Sequence, residues 1–170
     1  MKKNNIVLIG MPGCGKSTLG VVLAKMLCRD FLDLDLEIQK KIGMTLQEYI
    51  DKNGVDAFLE LEADIASTLE CENTIIATGG SAVLRDRAAK HLRTLGTTVY
   101  ISLPIEEIEK RITDLSHRGV AMSRGETLRD VYQKRVPIYD KYADVKVDIS
   151  GETIAASCRK LCSELKKLEI

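Results

Sequence analysis

Apolar residues along this chain recur in two alternating rhythms. Short runs at residues 6–9, 31–34, 74–77, 98–102 and 145–149 have the length and composition of strands. Between them the spacing turns helical. Leu19, Val22, Leu23, Met26 and Leu27 predict a helix over about 16–28. Residues 35–70 are rich in Leu, Ile, Glu and Lys and break at Gly43 and Gly54, which predicts two or three helices. Thr45 followed by Glu48 has the form of a capping box. Further helices are predicted over 86–95, from Pro104 to about Thr113, over 126–141 and over 152–168. Residues 114–125, DLSHRGVAMSRG, are polar with two glycines and predict a mobile loop.

Strands alternating with helices predict an α/β protein, a parallel sheet covered on both faces. In such sheets ligands sit at the carboxyl ends of the strands. No repeat, low-complexity segment or linker divides residues 1–170, so a single domain is expected. Lys plus Arg and Asp plus Glu both number 25, and aromatics are 4%. That leaves neither overall positive charge nor a stacking platform, so no nucleic-acid partner is expected. No apolar run approaches the length of a membrane span, and the apolar stretch in MKKNNIVLIGMPG is too short for a signal peptide. A monomer in the cytoplasm, without membrane contact, is expected. The five cysteines are scattered without a CxxC pair and read as reduced thiols, mostly small core residues. Cys158 and Cys162 can share a helix face, but no histidine stands near to complete a metal site.

The chemistry begins after the first strand. GMPGCGKS, residues 10–17, matches G-x-x-x-x-G-K-[ST] at Gly10, Gly15, Lys16 and Ser17. Glycines let the backbone curl so that successive N–H groups face phosphate oxygens, and the helix that follows adds its positive end. Lys16 reaches the β- and γ-phosphates and Ser17 ligates Mg²⁺. A Gly-rich turn with a chance lysine is the plain alternative, but the strand-then-helix setting is the context the motif requires. ATP or GTP is the expected ligand.

FLDLD, residues 31–35, places Asp33 and Asp35 two apart at the end of the second strand, where alternation turns both carboxylates to one face. Asp33 is then a candidate for Mg²⁺ through water, and Asp35 for accepting the proton of a hydroxyl that attacks the γ-phosphate. The competing reading makes one of them, Asp35 by position, the cap of the next helix.

Over nearly its full length the sequence resembles the shikimate kinase family. GMPGCGKS resembles that family's phosphate loop and FLDLD its paired-aspartate strand. Gly54, Phe58 and Glu62 fit its substrate helix, TGGS at 78–81 its Gly-rich stretch, the loop with Arg118 its lid, and RVPIYDKYAD at 135–144 its R-x-P-x-Y signature. The resemblance implies a three-layer P-loop fold with five parallel strands in order 2-3-1-4-5. It further implies a substrate-binding segment at about 35–70 and a lid at about 114–125. ATP and Mg²⁺ are the implied cofactors and shikimate the implied small-molecule acceptor. Gly13, Cys14, Gly15, Lys16, Ser17 and Thr18 would cradle the nucleotide, and Arg111 would lie on the adenine face. Arg118 would bring charge over the phosphates. Asp35, Gly79, Gly80 and Arg135 would hold the acceptor, with Ser17 and Asp33 at the metal. Each arginine also has a plainer reading. Arg111 sits among Glu106, Glu107, Glu109 and Lys110 on what could be a solvated helix face, and Arg118 lies in a polar loop. Arg135, close before Pro137, could serve a helix dipole.

The chain departs from the family at three positions. Leu59 in FLELE occupies the substrate-helix position where the family carries a carboxylate-binding arginine, Ser81 replaces the third glycine of GGG, and Arg118-Gly119 replaces Arg-Pro in the lid. Loss of a charge-assisted contact costs about 1.5–3 kcal/mol. By the resemblance, phosphoryl transfer to shikimate is the expected activity. The same transfer to another small alcohol or hydroxy acid is the alternative, and a nucleotide-binding regulatory module without transfer activity is the rival from another class.

Overall fold

The computed structural model describes residues 4–112 and 119–168. Five strands, β1 (Asn5–Ile9), β2 (Asp30–Asp33), β3 (Thr74–Ala77), β4 (Gly96–Ser102) and β5 (Val145–Asp148), form one sheet in the order β2-β3-β1-β4-β5. Every pairing is parallel; Ile6 lies opposite Ile75 on one side and Thr97 on the other. Successive strand residues point to opposite faces, yet all of β1 is buried, so helices cover both faces. The edge strands β2 and β5 are only partly buried.

Helix α1 (Lys16–Leu27) packs on β3 and β2 and against α8 (Ile154–Lys167). The segment after β2 folds into three helices, α2 (Leu34–Ile42), α3 (Leu46–Asn53) and α4 (Val55–Ser67), broken at Gly43 and Gly54. The Thr45–Glu48 capping box opens α3: the Glu48 N–H donates to Thr45 Oγ1 at 3.2 Å and the Thr45 N–H to Glu48 Oε2 at 2.7 Å. Helix α5 (Asp86–Leu95) rests on α4 and the sheet, and α6 (Ile105–Arg111) follows β4. A second capping box, Thr127 with Asp130, starts α7 (Leu128–Tyr142).

Two local expectations are corrected. The second strand ends at Asp33, because Leu34 already begins α2. The Asp33 carboxylate accepts the N–H groups of Asp35 and Leu36 at 3.0 and 3.4 Å, so the helix cap is Asp33 rather than Asp35. Strand alternation therefore does not orient Asp35. Helix α7, predicted over 126–141, runs through Pro137 to Tyr142. Arg135 lies in the middle of it and does not serve its C-terminal dipole. The interior proline removes one backbone donor, but Val131, Arg135, Tyr139 and Tyr142 keep one buried stripe at helical spacing. Among the described residues no helix is long and apolar enough to cross a membrane, and the cysteines are all free.

Candidate active site

The end of β1 delivers the chain into the loop at residues 10–15. Gly15, at the N-cap of α1, has φ +97°, a conformation L side chains rarely adopt. No side chain caps α1 and no acidic residue occupies its first turn, so its leading N–H groups are left for an anion. The Lys16 ammonium is buried and donates to the carbonyls of Gly10 and Met11, both at 2.8 Å. It braces the loop from within.

A cavity of about 270 Å³ opens on this loop. Gly13, Gly15, Lys16, Ser17 and Thr18 line one end. Asp35, Glu62, Gly79, Gly80 and Arg135 line the other, and Gly119, Val120 and Ala121 border it. Gly119 has φ +58°, which a proline ring cannot adopt, and this accounts for the missing lid proline. Arg118 and the lid residues 114–117 lie outside the described residues.

A second cavity of about 300 Å³ shares Gly13, Gly15 and Thr18 with the first, so the loop forms a wall between them. Cys14, Arg111, Ile149 and Ile154 also line it. Arg111 donates to the Cys14 carbonyl at 3.4 Å and pairs with Glu107 at 3.7 Å. It therefore lies on the phosphate loop rather than on a merely solvated helix face; Glu106 and Glu109 are engaged by Arg129 instead.

Beyond the loop the site is made of side chains. Asp35, in the first turn of α2, has its pKa raised to about 6, by burial first and the Asp33 charge second, with Lys16 opposing. Gly79 follows β3 so closely that a β-carbon on it would stand 2.4 Å from Glu62 Oε1 and 2.6 Å from Asp35 Oδ1. The two carboxyls thus face each other across a bare backbone, within the range where like charges raise each other's pKa. Tyr139 donates its hydroxyl to the Gly80 carbonyl and steadies the same turn. Arg135 is buried, donates through Nη2 to the Ala121 carbonyl, and leaves Nη1 without a partner.

Two sequence-predicted residues stand apart. Asp33 does not line the cavity, because its carboxylate turns back to cap α2. Leu59 is also absent from the cavity wall. It lines a separate space of about 250 Å³ that shares Ala121 and Arg135 with the first, among Leu84, Val131 and Ile138 and the charged Asp56, Arg85, Glu126 and Lys134. Glu62 was not singled out from the sequence as a contact. Its signal was there: a carboxylate four residues after Phe58 and three before Ile65 falls on the buried stripe of α4. Such a charge is rarely buried without a purpose.

Among the described residues no three His, Cys, Asp or Glu side chains stand together as a metal site. A Mg²⁺ ion carried by nucleotide phosphates needs few protein ligands and keeps several waters. The Ser17 hydroxyl beside the uncapped helix end fits that demand.

Comparison with known proteins agrees with this geometry. The family model for shikimate kinase matches residues 12–166. A shikimate kinase of Clostridium botulinum (strain Eklund 17B / Type B) is 37% identical over 169 residues, covering 99% of this chain and 98% of that protein. One from Thiobacillus denitrificans is 34% identical over 171 residues, with 99% and 93% covered. Among solved structures, the shikimate kinase from Acinetobacter baumannii in complex with shikimate superposes with a TM-score of 0.90 at 28% identity, covering 98% of this chain and 95% of that one.

Proposed function

The chain belongs to the shikimate kinase family, and from that premise we propose that it transfers the γ-phosphoryl group of ATP to a ring hydroxyl of shikimate. One observation carries the reading. A single cavity joins an uncapped phosphate loop to a buried carboxyl and to a guanidinium nitrogen with no partner. Those are the needs of a donor anion, a reacting hydroxyl and an acceptor carboxylate.

The loop N–H groups and Lys16 hold the triphosphate and take up charge as the γ-phosphoryl group moves. Arg111 flanks the adenine, and Arg118 adds a cation from the lid. Ser17 would hold a Mg²⁺ ion, which would supply charge neutralisation for the phosphates, and Asp33, its carboxylate turned to cap α2, would reach that ion only through water. Asp35 accepts the proton of the attacking hydroxyl. With its pKa raised to about 6 it is largely ionised at pH 7 and still a better base than an ordinary carboxylate. Arg135 Nη1 pairs with the acceptor carboxylate. Leu59 gives little support to a different acceptor, since it lies outside the cavity wall.

The test is a coupled ADP-release assay with Mg²⁺-ATP, run with shikimate and then with other polyols and hydroxy acids. Shikimate-dependent ADP release is expected. Nucleotide binding without transfer to any acceptor would overturn the reading in favour of a regulatory module.

A further inference from the structure

The second cavity at the phosphate loop has walls from distant parts of the chain. Arg111 comes from the end of α6, while Ile149, Glu152 and Ile154 come from the turn between β5 and α8. The Glu107 side chain joins the two. Its carboxylate accepts the Gly151 N–H, 44 residues on, at 3.1 Å through Oε1 and 3.4 Å through Oε2. The same Oε2 pairs with Arg111 Nη2 at 3.7 Å. Glu107 itself does not line the cavity.

We infer that Glu107 is a positioning residue for the nucleotide base: its carboxylate clasps Arg111 to the turn after β5 and so sets the slot between them. The inference rests on the reading of Arg111 as the residue on the adenine face.

Arg111 needs such a partner. Its side chain is 38% exposed, and its bond to the Cys14 carbonyl is long at 3.4 Å. A long exposed side chain loses rotamer freedom when a base settles on it, and an ion pair that holds it beforehand reduces that cost. The opposite wall is already firm within itself. The Ile149 N–H donates to the Ser102 carbonyl, that of Ser150 to Asp148 Oδ1, and that of Glu152 to the Ile149 carbonyl. Gly151 has φ +68°, and a β-carbon on it would meet nothing within 4 Å. The glycine therefore serves the backbone conformation that turns its N–H toward α6. A plainer role for Glu107 is to favour the start of α6 by its charge. Glu106 shares that first turn, yet it pairs with Arg129 of α7 and touches neither wall. It is the matched control.

Calorimetry on the full-length protein, without acceptor, separates base from phosphate. Glu107→Ala is expected to raise the Kd of Mg²⁺-ATP about two- to fivefold, the worth of the contact it positions. The Kd of inorganic tripolyphosphate, which has no base, stays unchanged, and so does kcat at saturating ATP. Glu107→Gln still accepts from Gly151 but offers Arg111 no charge, so it lies between wild type and Glu107→Ala. Glu106→Ala leaves both affinities at wild type. Glu107 and Arg111 act together, so Glu107→Ala with Arg111→Ala weakens ATP binding by less than the product of the single effects. Equal losses for ATP and tripolyphosphate overturn the inference, because the phosphate loop is then what Glu107 supports. So does a double variant whose effects simply multiply, or wild-type ATP affinity in Glu107→Ala beside a weakened Arg111→Ala. Unchanged ATP affinity in Arg111→Ala overturns the adenine-face reading, and this inference with it.

Discussion

The two ends of the cavity are built on different plans. At the donor end the backbone does most of the holding. An uncapped helix start faces the space, and the buried Lys16 ammonium there is already satisfied by two carbonyls. At the acceptor end the work falls to side chains from α2, α4 and α7, with Glu62 and Arg135 left incompletely bonded. A backbone cradle suits any triphosphate, because every residue supplies the same N–H. Selection among acceptors needs particular side chains, and their unmet hydrogen bonds become favourable only when the right molecule arrives. Side-chain loss should therefore hurt the two ends differently.

The largest effect is expected where the ends meet. Asp35→Asn keeps the shape but removes the base, so kcat should fall about 10²–10⁴-fold while the KM for ATP changes little. Wild-type turnover should also fall tenfold per pH unit below about pH 6, because Asp35 accepts a proton only when ionised and its pKa is raised to that value. Steady-state kinetics from pH 5 to 8 checks both. A loss confined to ATP affinity would move Asp35 to the donor end and break the comparison.

Lys16→Ala comes next. It removes the cation over the phosphates and also the two bonds that brace the loop. A fall in kcat of about 10²–10³-fold is expected, and it identifies Lys16 as the exception in a cradle otherwise made of backbone. Near-normal turnover would leave the N–H groups sufficient by themselves. Gly79→Ala tests the acceptor end by bulk. The new methyl would press on Glu62 Oε1 and Asp35 Oδ1 together. Overpacking of this kind costs about 1–3 kcal/mol, or several degrees of Tm in a chain of this size. The KM for the acceptor should rise with it and that for ATP should not.

The donor end was legible because it is local. Its motif spans eight residues, and the strand and helix that frame it follow from periodicity alone. The acceptor end was legible only in pieces. Asp33 and Asp35 straddle the point where period two gives way to period 3.6, so alternation assigned them one face that the turn into α2 dissolves. Spacing predicted the helix over 126–141, yet left open a dipole role for Arg135, close before Pro137. The helix continues because Tyr139 and Tyr142 bury beyond it, a tertiary gain that outweighs the missing backbone donor. Glu62 drew attention through family likeness alone, since one sequence shows a charge on an apolar stripe but not which distant groups face it. Asp35, Gly79 and Arg135 meet it only through the order of strands and the packing of α7.

Arg111→Ala should have the smallest effect, and for that reason it tests the comparison most closely. Arg111 is a side chain at the backbone-built end, part exposed, joined to the loop by one long hydrogen bond to the Cys14 carbonyl. If it lies on the adenine face, its loss removes a cation–π contact of about 0.5–1 kcal/mol, a rise of roughly two- to fivefold in the KM for ATP. The phosphates would still be held by the N–H groups, so kcat and the acceptor KM should stay within error of wild type in the same assay. A loss of tenfold or more in ATP affinity would mean that the donor end also depends on a particular side chain. The division between a backbone cradle and a side-chain selector would then have to be redrawn at Arg111.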